Sequence, residues 1–474
     1  MMGRPGPARL LGPPGAPAVC RRPAARIPVV TRIAGRYPPV VKRPSPAAAF
    51  SNWRSRWGGI APLLLAEFIV WLGFGGLLPI LPLYFVDQGV DLRTLGIVVA
   101  AWPAARLVGE PIFGWLADRT ERIPLMMVGL VLAGIFTILP LVITGPVAFI
   151  ALRAIVGLAT AIYDPAARGY LTDATPPERR GEAFGLYGAA QMGGLLLGPA
   201  IGAIGADRLG GIGFVFVFAG VAAVVAAIPI ARLRREGARR TRTRPALPLD
   251  PTEFPPDSPS TTSRAAAAVA ADRAQVHAPG TPTRLLNRGL MAALVINVGG
   301  NFAAGTYDVI WSLFLQSLGA GLGLIGLTFA LFGLPILVLS PAAGRLVDRR
   351  GSFGFIVVGS ILPALMGLLY TRLADPVLAI PLILIEATGF ALLIPALYAV
   401  VAANSPAGRS STAQGLFGAA GTVGFIVASL VSGVLAAEDI LYPLYVFSAV
   451  LTATLVLGIA IGGRQLRVFH PPSG

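Results

Sequence analysis

Residues 114–119 read Gly-Trp-Leu-Ala-Asp-Arg and residues 344–349 read Gly-Arg-Leu-Val-Asp-Arg, so one short pattern occurs twice, 230 positions apart. Three matches at this single offset indicate two similar halves. Many secondary transporters are built from such halves and alternate access to a site between them. The two other repeated pairs are 165–166 with 395–396 and 185–190 with 415–420.

The overall composition is that of a membrane protein. Of 474 residues, 55% are hydrophobic and only 13% are charged, whereas roughly a quarter of the residues in a soluble domain are charged. From Trp57 onward, apolar runs recur that reach the length of about 20 helical residues needed to cross a bilayer. We predict an all-α membrane protein with twelve transmembrane helices in two pseudo-symmetric six-helix bundles. The predicted spans are 58–86, 94–117, 123–144, 147–170, 184–206, 211–231, 288–317, 321–343, 353–371, 376–402, 414–436 and 440–462.

The spans divide the chain into five parts. Residues 1–57 and 232–287 are rich in Pro, Arg and Ala without a periodic apolar pattern, so we expect a disordered basic tail and a solvated linker, both cytoplasmic. The bundles are predicted at 58–231 and 288–463, and a second cytoplasmic tail at 464–474. Residues 1–57 have three possible explanations: a transit peptide, a lipid-binding arm, or a start codon assigned too early.

Basic residues are distributed unevenly between the two sides of the predicted bundles. The side with both termini and the loops after even-numbered spans holds 33 of the 38 basic residues, against three on the other side. Both termini are therefore predicted to be cytoplasmic. The net charge of +16 reflects this topology, so nucleic acid is not expected as a partner. With one lysine against 37 arginines, which is typical of a GC-rich genome, we expect the plasma (inner) membrane of a bacterium.

Residues that carry enzymatic chemistry are scarce. The single cysteine, Cys20, and both histidines, His277 and His470, lie outside the predicted spans. This excludes an HExxH zinc site and a Ser-His or Cys-His pair within the membrane. The sequence also contains no GxxxxGK[ST] phosphate loop. We expect no enzyme, metal or cofactor, and a membrane-embedded sensor is disfavoured because neither tail nor linker resembles a folded domain.

The repeated hexapeptide lies in the predicted loop after the second span and resembles the signature G-x-L-a-D-r-x-G-r of the major facilitator superfamily. The resemblance implies that this loop helps to hold a cytoplasmic gate in one of two states, while a tight charged turn capping two helices explains the same residues structurally. Glu121 departs from the signature, which has glycine there. The gate residues so implied are Gly114, Asp118, Arg119, Arg122, Gly344, Asp348, Arg349 and Gly351.

Motifs in three spans are similar to those of the twelve-helix drug/proton antiporters. Gly73, Pro79 and Pro82 fit the first-helix pattern l-g-x5-P-v-x-P. Residues 153–157 resemble the fourth-helix pattern R-x-x-q-G, and in the family this arginine takes part in proton transfer.

The fifth span resembles the antiporter motif g-x-x-x-G-P-x-x-G-G through Gly194, Gly198, Pro199 and Gly202. Apart from any resemblance, glycines at i, i+4 and i+8 form one smooth helix face for close packing. A proline in the same turn permits a bend. A packing groove without a transport role is the plainer explanation of the glycines alone.

Ionisable side chains inside the predicted spans are the candidates for coupling. Each is costly against lipid, so each should face the protein interior or a water-filled cavity. A carboxyl group in a low dielectric can take up and release a proton near neutral pH. Glu67 is the first candidate because no basic residue lies within a helical turn of it. Glu386, more deeply placed among apolar neighbours, is the second, and Asp308 is the third.

Three further charges in the spans have competing explanations. Asp164 is either a coupling residue or the i+4 partner of Arg168, whereas Glu110 fits best as the partner of Arg106. Arg153 requires a carboxylate or carbonyl partner, and its role is either proton transfer or a structural salt bridge.

Together these residues favour a monomeric secondary transporter that couples efflux of lipophilic or cationic drug-like compounds to proton entry. Its partners would be a small-molecule substrate and the lipid bilayer, with the proton as coupling ion. The alternative is a metabolite or sugar carrier of the same superfamily. An anion carrier should place more basic than acidic residues in its spans, and here five acids stand against two arginines.

Overall fold

The computed structural model describes residue 3 and residues 57–176, 179–209, 211–243, 284–406 and 409–468. The predicted N-terminal tail and linker lie largely outside these residues, as do the last six residues of the predicted C-terminal tail. The predictions for those segments remain predictions.

The described chain is helical throughout its two halves. In the first half the helices are α1 Ala61–Leu77, α2 Leu81–Asp87, α3 Leu92–Ala117, α4 Arg122–Ile138, α5 Pro146–Asp173, α6 Arg180–Leu209 and α7 Gly213–Thr243. In the second half they are α8 Arg288–Ser317, α9 Leu322–Arg350, α10 Phe353–Tyr370, α11 Ala379–Ala403, α12 Ser410–Ala436 and α13 Tyr442–Gly462.

Eleven of these helices are long and apolar enough to cross a membrane. The short pair α1 and α2 forms one further broken span with a bend of 43°, so the predicted twelve-span all-α fold is confirmed. Pro79 lies in the break and Pro82 in the first turn of α2. Proline lacks a backbone N–H and interrupts the helical ladder, which explains why the helix-one motif coincides with the bend.

Two helices run beyond their predicted ends. α7 continues to Thr243 and α9 to Arg350, where the sequence pattern placed the ends at 231 and 343. Both extensions are rich in arginine. An apolar-length criterion stops at the first charges, whereas the backbone hydrogen bonds of a helix can continue past them.

The same packing pattern appears in both halves. In the first, the broken span packs on α6 and α7, α3 packs on α5, and α4 packs on α5 and α7. In the second, α8 packs on α12 and α13, α9 on α11, and α10 on α11 and α13. Each contact has its counterpart one repeat later, so the 230-residue repeat in the sequence corresponds to a repeated bundle.

The predicted glycine face of the fifth span packs directly on the first. Gly194, Gly198 and Gly202 of α6 lie against the backbone of α1. A β-carbon at position 198 would sit 2.5 Å from the carbonyl oxygen of Leu72, closer than any side chain allows. Small residues let two membrane helices approach in this way, so the sequence-based packing interpretation holds.

The two bundles meet through α3 with α12 and through α6 with α9. At the first contact, Gly96 and Gly433 lie backbone to backbone. At the second, Gly326 packs against the carbonyl group of Pro199. Both contacts lie toward the bundle end that carries the ion pair Arg93–Glu438, at 2.6 Å. The structure is therefore closed between the bundles at this end.

Candidate functional site

A cavity of about 640 Å³ lies between the two bundles. Aromatic rings dominate its wall, and its polar groups come mainly from the second half of the chain. Tyr398, 52% exposed, and Phe417 lie at the end of the cavity away from the closed contacts. Rings in the wall include Trp71, Phe74, Trp102, Tyr307, Trp311, Phe329, Phe332, Phe390 and Phe425, and the polar residues include Asn297, Asn301, Asp308, Thr328 and Glu386.

Glu386 is the deepest acidic group in the cavity wall. Only 1% of its surface is exposed. The hydroxyl group of Tyr307 donates to Oε1 and that of Tyr370 donates to Oε2, both at 2.7 Å. Two phenol donors stabilise an ionised carboxylate without neutralising it, because hydrogen bonds to a charged acceptor are the stronger kind. The structure places Glu386 in the cavity wall, where the sequence expected it, whereas the hydrogen bonds from Tyr307 and Tyr370 were not predicted.

Asp308 lies where the large cavity meets a narrow gap between the bundles. The gap is too small for a water molecule and is lined by Asp308 of α8, Arg153 of α5 and apolar side chains of the broken first span. Asp308 is the electrostatic partner of Arg153, although the two do not close a direct ion pair. Nε of Arg153 is buried and has no hydrogen-bond partner among the described residues. The predicted ion pair of Arg153 with a carboxylate is thus not formed in this structure, and Asp308 acts on it only at a distance.

Glu67 is wholly buried within the first bundle. Its Oε1 accepts hydrogen bonds from the hydroxyl groups of Tyr163 and Tyr187, both at 2.6 Å. Its Oε2 accepts from Nε2 of Gln191 at 2.9 Å and from the indole N–H of Trp71 at 3.2 Å. Among the described residues, no basic side chain forms an ion pair with it. Glu67 does not line the cavity itself, whereas Trp71 does.

Asp164 belongs to a charged cluster near the gate loop. Arg106 forms an ion pair with Asp164 and another with Glu110, the latter at 2.5 Å. Arg168, the partner suggested by sequence, stands farther from Asp164 at 3.8 Å. The helical pair Arg106–Glu110 is present as expected, and the cluster ties α3 to α5. A coupling role for Asp164 remains a prediction.

The first copy of the gate motif joins α3, α4 and α5. Asp118 caps the C-terminus of α3. Arg122 lies 2.8 Å from Asp173 at the end of α5 and 3.6 Å from Asp118. The guanidinium of Arg119 stacks over the ring of Trp115, 4.0 Å from its centroid. The loop therefore connects three helix ends through Arg122, as a gate element would require.

The two copies of the motif differ at the position where the second has Gly351 and the first has Glu121. Gly351 ends α9 with φ +85°, a left-handed conformation that favours glycine. Glu121, one repeat earlier, has φ −65°, which any residue adopts, so the first copy has no need of glycine there. Gly114 and Gly344 occupy matching places, each facing the β-carbon of the repeated proline, Pro165 or Pro395. Asp348 and Arg349 are exposed.

Comparison with known proteins agrees with this architecture. The sequence profile of the Major Facilitator Superfamily matches residues 63–429 and 293–465. The chain belongs to the Major Facilitator Superfamily. The resemblance seen in its motifs is thereby confirmed at the level of the family, and the twelve helices are those of a multi-span membrane transporter.

Individual members of the superfamily resemble this chain to different extents. An uncharacterised MFS-type transporter of Methanocaldococcus jannaschii is 24% identical over 396 residues, covering 83% of this chain and 95% of the relative. The quinolone resistance protein NorA of Staphylococcus aureus is 29% identical over 140 residues, 30% of this chain and 36% of NorA. The matched segment thus spans only about a third of NorA.

Solved structures of the superfamily share the fold. A peptide transporter POT in complex with alafosfalin superposes with a TM-score of 0.68 at 17% identity, over 87% of this chain and 96% of that one. A bacterial homologue of the human lysosomal transporter Spinster, inward-facing and occupied, gives 0.65 at 14% identity, over 89% and 99%. At this identity the likeness establishes the fold alone.

Proposed function

We propose that this chain is a proton-coupled exporter of lipophilic cations that acts by alternating access in a plasma membrane, with both termini in the cytoplasm. The observation that carries the proposal is the cavity between the bundles, in which aromatic rings surround the carboxyl groups of Glu386 and Asp308. A pocket that is mostly apolar with a few fixed polar groups is typical of a small-molecule site.

Charge and ring chemistry together define the favoured cargo. Glu386 has no basic neighbour within ion-pair distance among the described residues, so its negative charge is available to a cationic ligand. Aromatic faces such as those of Trp71 and Trp311 attract organic cations and flat apolar groups. The alternative is a metabolite or sugar carrier of the same superfamily, and the acidic cavity disfavours the anionic members of that class. The partial similarity to a quinolone resistance protein also supports a drug-like cargo.

Proton coupling requires a carboxyl group that can hold either a proton or the cargo. Glu386 meets this requirement by position, because it is buried yet reaches the cavity. In the proposed cycle the ionised carboxylate binds the cation, the bundles rock, and a proton from outside replaces the cation. A ligand shifts the equilibrium between the two states only by its differential affinity for them. Because the cation and the proton have to exchange at the carboxylate, it must be exposed to the cavity in both states. Arg153, Asp308 and Glu67 are the further candidate groups in this cycle.

The experiment is efflux of ethidium from proteoliposomes under an imposed pH gradient. Wild-type protein is expected to move ethidium against its gradient, and dissipating the pH gradient should stop this movement. Glu386→Gln is expected to lose gradient-driven efflux, while Asp207→Asn, which changes an exposed carboxylate at the end of α6, should keep it. Efflux that ignores the pH gradient in the wild type would overturn the proton coupling. Uptake of anions in place of ethidium would overturn the cargo class.

A further inference from the structure

Trp71 is the direct contact between Glu67 and the cavity. It lies one helical turn after Glu67 on α1, and its indole N–H donates to Oε2 of Glu67 at 3.2 Å. The ring of the same side chain forms part of the cavity wall. Glu67 is completely buried behind it. A change in the charge of Glu67 therefore acts on the Trp71 ring, which faces a substrate bound in the cavity.

The hydrogen bonds of Glu67 are divided by chemical type between its two oxygens. Oε1 receives two phenol hydroxyls, from Tyr163 and Tyr187, and a hydroxyl can either donate or accept. Oε2 receives two N–H donors, from Gln191 and Trp71; the indole cannot accept, and the Gln191 amide accepts only if it turns over to present its oxygen. A proton on Glu67 consequently belongs on Oε1, where one tyrosine can reverse its hydroxyl group.

Protonation weakens the opposite side of the carboxyl group. When the proton sits on Oε1, Oε2 becomes a neutral carbonyl oxygen, and hydrogen bonds to a neutral acceptor are weaker than those to a charged one. The bond from Trp71 is already the longest of the four. When Glu67 is protonated, the hydrogen bond from the Trp71 indole is thus the weakest of the four.

Other charged groups near Glu67 are few and already paired. Asp164 of α5 is the charged group that acts on it, and Asp164 is bound by Arg106 and faced by Arg168. Tyr163 of α5 and Tyr187 of α6 are the other titratable groups facing it. Among the described residues, Trp71 is therefore the group that connects a change of charge at Glu67 to the cavity.

The indole is the first ring of a series in the cavity wall. Trp71 meets Phe74 edge-on with ring centroids 5.4 Å apart, and Phe74 stacks on Trp102 at 5.3 Å. All three rings line the cavity. A shift of the first ring disturbs contacts along the series, because such pairs have preferred geometries.

We propose that Trp71 is a positioning residue that transmits the charge of Glu67 to the substrate cavity. With Glu67 ionised, the indole is held and the aromatic wall is shaped for the cation. With Glu67 protonated, the indole is released and the wall binds the cation less well. The inference rests on the proposed proton-coupled function, and it adds a proton site that the substrate does not touch.

The test measures binding of radiolabelled tetraphenylphosphonium to the full-length protein in nanodiscs at about pH 6 and about pH 8. Wild type is expected to bind about tenfold more tightly at the higher pH, as loss of one hydrogen bond to a charged group implies. Trp71→Phe keeps an aromatic wall but removes the N–H, so the ratio of the two affinities should fall to the smaller value that Glu386 alone produces. Phe329→Leu, which changes a cavity ring outside this series, is expected to lower both affinities and keep the ratio.

A double substitution separates this role from a structural one. If Trp71 acts through Glu67, then Glu67→Gln and Trp71→Phe should reduce the pH ratio to the same extent singly and together. Independent, additive effects would overturn the inference. Should Trp71→Phe not fold, Trp71→Leu is measured in the same way.

The outcomes distinguish the inference from the proposed function. A pH ratio in Trp71→Phe equal to that of wild type overturns the role of Trp71, while ethidium efflux by wild type leaves the proposed function standing. Wild-type protein without pH-dependent binding overturns the inference at once, and absence of gradient-driven efflux overturns the proposed function.

Discussion

Arg153 and Asp308 line one narrow gap from opposite bundles and act on each other electrostatically without direct contact. A guanidinium group inside a membrane span is costly unless a carboxylate or carbonyl compensates it. Asp308 also lines the large cavity. The Asp308 carboxylate therefore faces the large cavity, where the proposed cargo would bind, and also experiences the charge of Arg153 across the gap.

The first prediction is a double-mutant cycle on this pair. Asp308→Asn should destabilise the protein in detergent because it leaves Arg153 buried without its counter-charge. Adding Arg153→Gln should recover part of the loss, with a coupling energy of about 1 kcal/mol or more. The measurement is the apparent melting temperature, together with ethidium binding.

An exposed pair provides the matched control for this cycle. Arg93 and Glu438 also join the two bundles, but each side chain is 61% exposed. Exposed pairs of this kind contribute roughly 0.2–1 kcal/mol, so Arg93→Gln with Glu438→Gln should show a smaller coupling energy than the buried pair. Additive effects for Arg153 and Asp308 would contradict an interaction between them.

Much of this architecture was predictable from sequence because its signals are local. Apolar length predicts each span, and the constant offset of 230 predicts the repeated bundle. The cavity position of Glu386 follows from the cost of a charge in lipid. The glycine face of α6 follows from its spacing. Each of these inferences uses only residues that are neighbours on one helix or related by one repeat.

The hydrogen-bond partners of the carboxylates were not predictable, because they come from other helices. Tyr163 and Tyr187 lie 96 and 120 positions from Glu67, and no sequence pattern fixes how their helices rotate. The repeat does not help, since the counterpart of Glu67 one repeat later is Asn297, which donates to the carbonyl oxygen of Phe417. Local reasoning also favoured Arg168 for Asp164, whereas α3 brings Arg106 closer.

The second prediction concerns Tyr370, which touches Glu386 but is not among the described residues that line the cavity. Tyr370→Phe removes one of two phenol donors from the carboxylate without changing the cavity wall. Because a hydrogen bond to a charged acceptor is strong, loss of the bond from Tyr370 should lower the affinity for tetraphenylphosphonium about tenfold. Equilibrium binding in nanodiscs measures this. Tyr445→Phe, on an exposed face of α13, should bind as wild type does, and an unchanged affinity in Tyr370→Phe would remove its role.

The third prediction is a pH dependence at the start of α3. Asp91 caps this helix, accepting from the hydroxyl group of Thr94 at 2.6 Å and from its backbone N–H at 3.1 Å. These bonds, the hydroxyl first, lower the pKa of Asp91 from its ordinary value. A carboxyl group with a lowered pKa stabilises the fold above its unfolded pKa, and that contribution disappears as pH falls through the folded pKa.

Asp91→Ala should therefore lower the apparent melting temperature at about pH 7 by about 2 °C, the usual effect of losing a helix cap. Near pH 3 the difference from wild type should shrink, because the native carboxyl group is then increasingly protonated. Thr94→Val, which removes only the hydroxyl donor, should show a smaller loss with the same pH trend. A difference that does not change with pH would argue against the cap.

The last prediction tests the closed end of the bundles. Gly96 and Gly433 bring α3 and α12 together so closely that a β-carbon on Gly433 would lie 2.6 Å from the carbonyl oxygen of Leu92. The obstructing atom is backbone and cannot turn aside as a side chain can. Gly433→Leu should leave each bundle folded, because the contact lies between the bundles, but should keep this end from closing.

Transport by Gly433→Leu should be lost while the protein still inserts and binds ethidium. A thiol at position 329 in the cavity wall, in a background with Cys20→Ser, reports which end is open to a membrane-impermeant maleimide. Labelling from the side of Arg93 should rise about tenfold, which corresponds to about 1.4 kcal/mol in the balance between the two states. Val434→Leu, one residue along on an exposed face, should label and transport as wild type does. Normal transport by Gly433→Leu would mean that alternating access does not need this contact.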